Sequence, residues 1–446
     1  MVRYFLAVIL GLSFVSGGLE GQAGSPAGAV PVERLAARRE ALIARIQSGV
    51  AVLRSAEERS ADPPESDYPQ DAAFRQDNDF FYLTGLETHG SLIALVARPG
   101  SAGEVHLFLP RRNPQAEQWT GPMLGPGTEA AALTGIPAGR IHPSDSAQVI
   151  IRTLVGAASR AGHGTLWFRH TSRDTRDEFL RRLALEREGG SSQDLLPALA
   201  GLRLVKDAEE IRRLRRAVDV SAAGHLAAMR EAKPGSWEYE IEAAAEAAFR
   251  RGGAERLGYP SIVGSGVNGT ILHYDQNRRQ AQAGELVVMD MGAEFGYYTA
   301  DLTRTIPVSG RFTPRQRALY DLVLGAQQAA MDSVRPGTTI GRLTQLARQY
   351  MDQHSGNRCG GQSCSRYFIH GLSHWVGMDV HDVGSYTTPL AAGMAFTIEP
   401  GIYIPEERIG IRIEDVVIVT PTGYENLSRG LARTAEEVEA VMKRGS

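Results

Sequence analysis

Cysteine is nearly missing from this chain: its 446 residues include two, Cys359 and Cys364, both inside the Gly/Ser-rich stretch 356–365. No other ligand stands at finger-like spacing from the pair, which excludes a structural zinc site of that kind. A local disulfide, if the chain is exported, or two free thiols in a surface loop remain. A loop so short gains little stability from the bond. Excess charge is missing too, with 48 Lys and Arg against 51 Asp and Glu and a formal net charge of -3. The two signs are interspersed, and no basic block offers the counterion release that drives nucleic-acid binding, so nucleic acid is excluded as a partner. The apolar run at residues 5–15 is too short to span a bilayer comfortably. Nor does the chain repeat itself at a solenoid period.

What is present begins with that run. Arg3 precedes it and the small-residue stretch 16–23 follows, the pattern of a secretory signal peptide. We therefore expect residues 1–23 to direct export, to a periplasm or the medium, and 24–32 to form a Gly/Pro/Ala linker. An uncleaved N-terminal membrane anchor is the alternative. Beyond the linker, a helical pattern at 33–47 is followed by short apolar strand candidates at 49–53, 91–97, 104–109 and 164–168. A further helical stretch lies at 175–187. This alternation predicts an α/β domain over 33–203. From 204 the pattern changes to long helices at 208–230 and 237–251, punctuated by Pro234-Gly235, then strand pairs, a helix pair at 314–333 and 340–353, and final strands. Residues 204–446 are expected to form one α+β domain.

Two hairpins in that domain carry the chemistry. Strands at 285–291 and 298–307 flank Phe295-Gly296, and Asp290 and Asp301 lie symmetrically about that turn. Directly opposed residues share a face, so the two carboxylates are expected side by side unless a bulge intervenes. Strands at 395–404 and 410–419 flank the turn 405–408, with Glu399 and Glu414 again symmetric; Arg412 shares the face of Glu414. A lone strand carboxylate is usually a solvated edge residue. These four sit among residues such as Val287, Val288, Phe396 and Ile398, where burial demands compensation, and divalent cations supply it.

Between the hairpins runs His-Gly-Leu-Ser-His-Trp-Val-Gly-Met-Asp-Val-His-Asp at 370–382, and His273 lies upstream in Ile-Leu-His-Tyr. Such a cluster, set among glycines, suits metal binding and proton transfer. The ordered set Asp290, Asp301, His374, Glu399 and Glu414 resembles the five-ligand pattern of metallopeptidases with the methionine aminopeptidase, or pita-bread, fold. The segments His-Gly-Leu-Ser-His-Trp, Asp-Leu-Thr-Arg-Thr, Ile-Glu-Pro-Gly-Ile-Tyr and Gly-Ile-Arg-Ile-Glu-Asp resemble the Xaa-Pro aminopeptidases among them. So does Phe-Arg-Gln-Asp-Asn-Asp-Phe-Phe-Tyr-Leu-Thr-Gly at 74–85, which resembles their N-terminal domain. The resemblance runs from about residue 35 onward. Departures fall mostly in loops, an insertion around 359–364 and a shortened link between 381 and 393.

The resemblance implies a pita-bread catalytic domain preceded by an aminopeptidase P N-terminal α/β domain. It also implies two divalent ions, manganese first, with zinc or cobalt as alternatives. Asp290 and Asp301 would bind one ion, Asp301 with His374 and Glu399 the other or both, and Glu414 would bridge. A hydroxide bridging the ions would release the first residue from peptides with proline second. Glu399 would also carry a proton. His273 and His381 would hydrogen-bond the intermediate or assist the leaving amine, and His370 would line the pocket behind proline. Tyr403 and Arg412 would support the ligands, and a homodimer or homotetramer is expected. A prolidase cleaving Xaa-Pro dipeptides with the same ligands is the alternative. A non-catalytic peptide-binding protein is disfavoured by the full ligand set.

Overall fold

The computed structural model describes residues 27–57, 74–170, 177–186 and 192–443. The expected signal peptide and residues 24–26 of the expected linker lie outside them, as do residues 175, 176 and 187 of one expected helix; its described part is Glu178–Leu185. Among the described residues no helix is long and apolar enough to cross a membrane.

The first part of the chain builds a six-stranded sheet in the spatial order Ile141–Pro143, Glu104–Leu109, Leu92–Ala97, Gly49–Arg54, Leu166–Phe168, Ser192–Asp194. The three long strands pair antiparallel and the short outer ones join in parallel. Leu92–Ala97 reads Leu-Ile-Ala-Leu-Val-Ala because both of its faces are covered. Ala51, Leu53, Ile93 and Leu95 meet Leu35, Leu42 and Ile46 of the helix Val32–Ile46. The alternate residues Val50, Val52, Leu92 and Ala94 meet Ile151 and Val155 of the helix Ala147–Arg160.

The short helix Asn78–Thr84 packs entirely buried. Asp77 caps it by accepting from the amides of Asp79 and Phe80, and Gly85 ends it in the left-handed conformation. Its Phe81 ring stacks on Tyr297 of the second part at 3.7 Å.

That second part opens with the helix Ala208–Glu231, started by a capping box between Asp207 and Glu210, and continues with Glu238–Arg251. Its strands form small curved sheets. One has the order Thr303–Pro307, Leu286–Asp290, Ile262–Ser265; another has Ala395–Ile398, Asp415–Val419, Tyr424–Asn426. A bridge between Thr303 and Glu414 ties the two together. Helices Pro314–Met331 and Ile340–Gln353 cover one side, and Ala208–Glu231 packs on the other side. This is the pita-bread arrangement, α+β with an N-terminal α/β domain. In the loop after Ile340–Gln353, Cys359 and Cys364 are joined as a disulfide.

The first hairpin differs from the sequence expectation by one turn residue. Gly296 and Tyr297, with φ of 57° and 70°, make the turn in place of Phe295-Gly296. A side chain at Gly296 would also meet Ala27 Cβ and Arg213 Nη1, each at 2.6 Å, so the position is close-packed as well as at positive φ. The one-residue shift moves the register by two, so Asp290 pairs with Thr303 rather than Asp301. A shift of two preserves the face, and the carboxylates remain diagonal neighbours. Strand pairing lapses between Tyr298–Thr299 and Thr303–Pro307, leaving Asp301 in the gap. In the second hairpin Glu399 falls opposite Glu414, between the pairs Ile398–Asp415 and Gly401–Arg412, and pairing lapses there as well.

Behind this gap Arg304 is fully buried. Its guanidinium pairs with Asp415 at 2.7 Å and donates to the carbonyls of Thr303, Glu414 and Ala432. Arg304→Met would remove the close cation from the buried Asp415, leaving it the Gln327 hydrogen bond and Arg433 at 4.0 Å. It is expected to lower the free energy of unfolding by about 3–5 kcal/mol, read from the denaturant midpoint.

Candidate metal centre

A cavity of about 760 Å³ opens where the two hairpins converge. Asp290, Asp301, His374, Glu399 and Glu414 all line it, as do His273, His370, His381 and Arg412; Tyr403 stands behind His370 and Arg412. Asp301, Glu399 and Glu414 enter the cavity from the lapses in pairing described above, and Asp290 from the paired end of its strand.

His374 Nε2 lies 3.2 Å from Asp301 Oδ2, 3.3 Å from Glu399 Oε1 and 3.9 Å from Glu414 Oε1. Ligand atoms of Asp301, His374 and Glu414 fall within 4.8 Å of one another, the spacing of a metal-binding group. The His374 Nδ1–H donates to the Trp375 carbonyl at 3.1 Å, which directs Nε2 at the carboxylates. Asp290 occupies the other half, where its Oδ2 accepts from Arg412 Nη2 at 2.6 Å.

Three hydroxyls not expected from the sequence complete the site. The Tyr259 hydroxyl is 2.6 Å from both Asp290 Oδ1 and Asp301 Oδ1. A phenol has one proton to donate, so one of these contacts requires a protonated carboxyl or a nearby cation. Thr303 donates to Glu414 Oε2 at 2.6 Å and Thr397 to Glu399 Oε1 at 2.9 Å. Both threonines stand two residues from a site carboxylate, so strand periodicity could have flagged them. Tyr259 left no comparable signal. Upstream, the buried Glu238 carboxylate accepts from Ser265, Asn268, Tyr274 and the Arg279 amide, fixing the loop that carries His273.

Electrostatics show what the site lacks. Burial, then the charges of Asp301, Glu399 and Asp290, pushes Glu414 well above the carboxylate range, and its Oε1 is buried with no hydrogen-bond partner. Burial and then Asp301 push Glu399 up to about 7. Asp301 rises for the same reason, through burial and then Asp290. Asp290 alone is lowered, because the Arg412 charge and the Tyr259 hydrogen bond overcome its burial. His374 rises to about 9 against its burial, drawn by Asp301 and Glu399. His370 falls to about 4, through burial and then Arg412. His381 is lowered by burial and by His374 and His273. Three buried carboxylates, a partly buried fourth and one imidazole, with a carboxylate oxygen that makes no hydrogen bond, fit divalent cations as their compensation.

A pita-bread fold around such a ligand set defines a metallohydrolase. Residues 212–421 match the model of metallopeptidase family M24, and 35–161 match that of the aminopeptidase P N-terminal domain. The Xaa-Pro aminopeptidase of Escherichia coli K12 is 35% identical over 437 residues, 91% of this chain and 96% of the relative. The structure of proline aminopeptidase P II from Yersinia pestis superposes with a TM-score of 0.82 at 35% identity, covering 93% of this chain and 100% of that one. A zinc-substituted E. coli aminopeptidase P in complex with product gives 0.84 at 32%, covering 94% and 100%. The chain belongs to metallopeptidase family M24, in its Xaa-Pro aminopeptidase group, and the prolidase alternative is not favoured.

The raised groups make stability depend on pH when metal is removed. In chelated protein Glu399 contributes stability that is fully present below its ordinary 4.5 and lost as pH rises through about 7; His374 likewise contributes below 6.5 and loses that contribution through about 9. The thermal unfolding midpoint of chelated protein is expected to fall across that interval, and added metal to offset the loss. Manganese binding at pH 7 should release protons, seen as buffer-dependent heat by calorimetry. Separately, Tyr259→Phe removes a hydroxyl shared by two carboxylates. Metal-buffered titration is expected to show affinity weakened about 10–100-fold.

Proposed function

We propose that this chain releases the N-terminal residue from peptides carrying proline second, using two divalent ions held by Asp290, Asp301, His374, Glu399 and Glu414. The observation that carries this reading is the convergence of four carboxylates, three buried and Glu399 partly so, around one imidazole, with Glu414 Oε1 making no hydrogen bond. Asp290 and Asp301 make one half, Asp301, His374 and Glu399 the other, and Glu414 stands between. Ions bound there would supply a water of lowered pKa and a Lewis acid for the scissile carbonyl. Manganese is the first choice for so oxygen-rich a set; zinc and cobalt accept similar ligands, and one structure of the E. coli relative is zinc-substituted.

The remaining residues hold and move protons. Glu399 Oε1 is occupied by Thr397 and His374, so Oε2 is the atom that takes a proton from the attacking water and returns it. His273 and His381 line the cavity and donate to the oxyanion or to the departing amine. Arg412 donates to the Tyr403 oxygen at 2.8 Å, Tyr403 donates to His370 Nε2 at 2.9 Å, and His370 Nδ1–H donates to the Gly371 carbonyl at 2.8 Å. Burial and then the Arg412 charge keep His370 neutral, and that chain fixes its ring toward the cavity. Proline's tertiary amide lacks an N–H and its φ is fixed, so recognition falls to ring-shaped apolar walls. Pro260, Ile262, Leu372 and Tyr386 supply them.

Export, to a periplasm or the medium, rests on the leader pattern and suits the Cys359–Cys364 disulfide. A homodimer or homotetramer is part of the same proposal. Trp119, 87% exposed on the N-terminal domain, is the kind of side chain a subunit contact would cover.

Chelated protein resupplied with manganese is expected to release the first residue from Xaa-Pro-Yaa tripeptides, while Xaa-Ala-Yaa controls remain intact. Asp301→Ala should lose both bound ion and activity. Cleavage of Xaa-Pro dipeptides alone would move the assignment to prolidase, and no metal-dependent cleavage of any of them would overturn it.

A further inference from the structure

His381 reaches the cavity from a turn that is anchored outside the catalytic domain. Its ring centroid is 4.1 Å from that of His374, so its placement is relayed to the ligand set. The backbone beneath it folds tightly. The Asp382 amide donates to the Trp375 carbonyl at 2.8 Å, and the Gly377 amide to the Asp379 carbonyl at 3.1 Å. Asp382 closes so far over its own turn that a side chain at Gly377 would lie 2.1 Å from its Oδ2.

Arg203 ends the helix Leu196–Arg203, where the chain passes from the first domain into the second. Its Nη2 donates to Asp382 Oδ1 at 2.6 Å and to Asp379 Oδ2 at 2.7 Å, and its Nη1 donates to Asp79 Oδ1 at 2.8 Å. Lys206 Nζ takes the other Asp382 oxygen at 3.0 Å. Asp79 belongs to the capped helix Asn78–Thr84 of the N-terminal domain, and its second oxygen accepts from Arg169 at 3.0 Å. The opposite end of the turn is held from the same domain. The Met378 carbonyl accepts from Arg75 Nη2 at 3.1 Å and from Asn78 Nδ2 at 3.3 Å.

Arg203, Lys206, Asp79 and Asp382 are all buried, and only Asp379 reaches solvent. Stability is a weak reason for such an array, because well-packed apolar side chains of similar volume often stabilise as much or more. What the array fixes is position. Three carboxylates converge on one planar guanidinium, and a flexible ammonium could not meet them in one geometry.

We infer that Arg203 is a positioning residue for the reaction: by pinning Asp379 and Asp382 against Asp79 it sets where His381 stands beside His374. The N-terminal domain thereby enters the catalytic geometry without contributing a group to the chemistry. This rests on the role given to His381 under the proposed function.

The test is a double-mutant cycle on the manganese-loaded, full-length protein with an Xaa-Pro-Yaa tripeptide. His381→Asn is expected to lower kcat about 100-fold or more. Arg203→Gln should lower kcat about 10–100-fold, the cost of a displacement near 1 Å. KM and bound metal should hold, because none of its hydrogen bonds reaches a ligand. In the His381→Asn background Arg203→Gln should cost nothing further. Losses that multiply overturn the inference, as does an Arg203→Gln enzyme with normal kcat and only a lower Tm. Should Arg203→Gln fail to fold, Asp79→Asn keeps both cations on Asp382; it is expected to give a smaller kcat loss that also vanishes in the His381→Asn background. A His381→Asn enzyme as active as the parent overturns the role of His381 and the clamp together, while proline-directed cleavage by the parent would still stand.

Discussion

Like charges cannot share a buried cavity unless something of opposite sign shares it with them, and this molecule is organised around that constraint. Asp290, Asp301, Glu399 and Glu414 converge in a space with few protein cations: Arg412 answers Asp290, and His374 reaches the other three. The backbone yields to bring them there, interrupting strand pairing around Asp301 and between Glu399 and Glu414. The core behind must then be rigid. Arg304 provides part of that, committing its guanidinium to Asp415 and three carbonyls.

Around the carboxylates, protons have fixed addresses. His374 gives its Nδ1 proton to a backbone carbonyl and His370 does the same, so both rings turn Nε2 to a defined partner. Thr303 and Thr397 each direct a hydroxyl at one oxygen of one carboxylate, leaving the other for ligation or proton transfer. The same side chains that fold the domain therefore decide which atoms remain free to react.

Much of this is legible in the amino-acid sequence. Strand alternation places the carboxylates on one face, and that survives a misplaced turn because a register error of two changes no face. The second hairpin keeps its register across the turn at 405–408. Less legible is what depends on distant pairing. Tyr259 precedes its strand by several residues and reaches the site only through the fold, and the lapses in pairing at the carboxylates have no composition signature. Arg412 is placed by the sequence only on the face of Glu414; the fold adds that it holds Asp290 with one nitrogen and Tyr403 with another. The segment 74–85 carries a family likeness but no hint of where it docks.

Tyr297 shows what that docking entails. It is a bulky residue at positive φ in the turn between the strands bearing Asp290 and Asp301. It is held there by its stack on Phe81, by donating its hydroxyl to Glu87, and by accepting from the Gln76 amide. A conformation this unfavourable for a tyrosine persists because a neighbouring domain specifies it. The catalytic half is therefore not a portable module. A chimera that joins it to a foreign N-terminal half would inherit a turn with no grip on it, and the natural unit of recombination in this architecture is the whole chain.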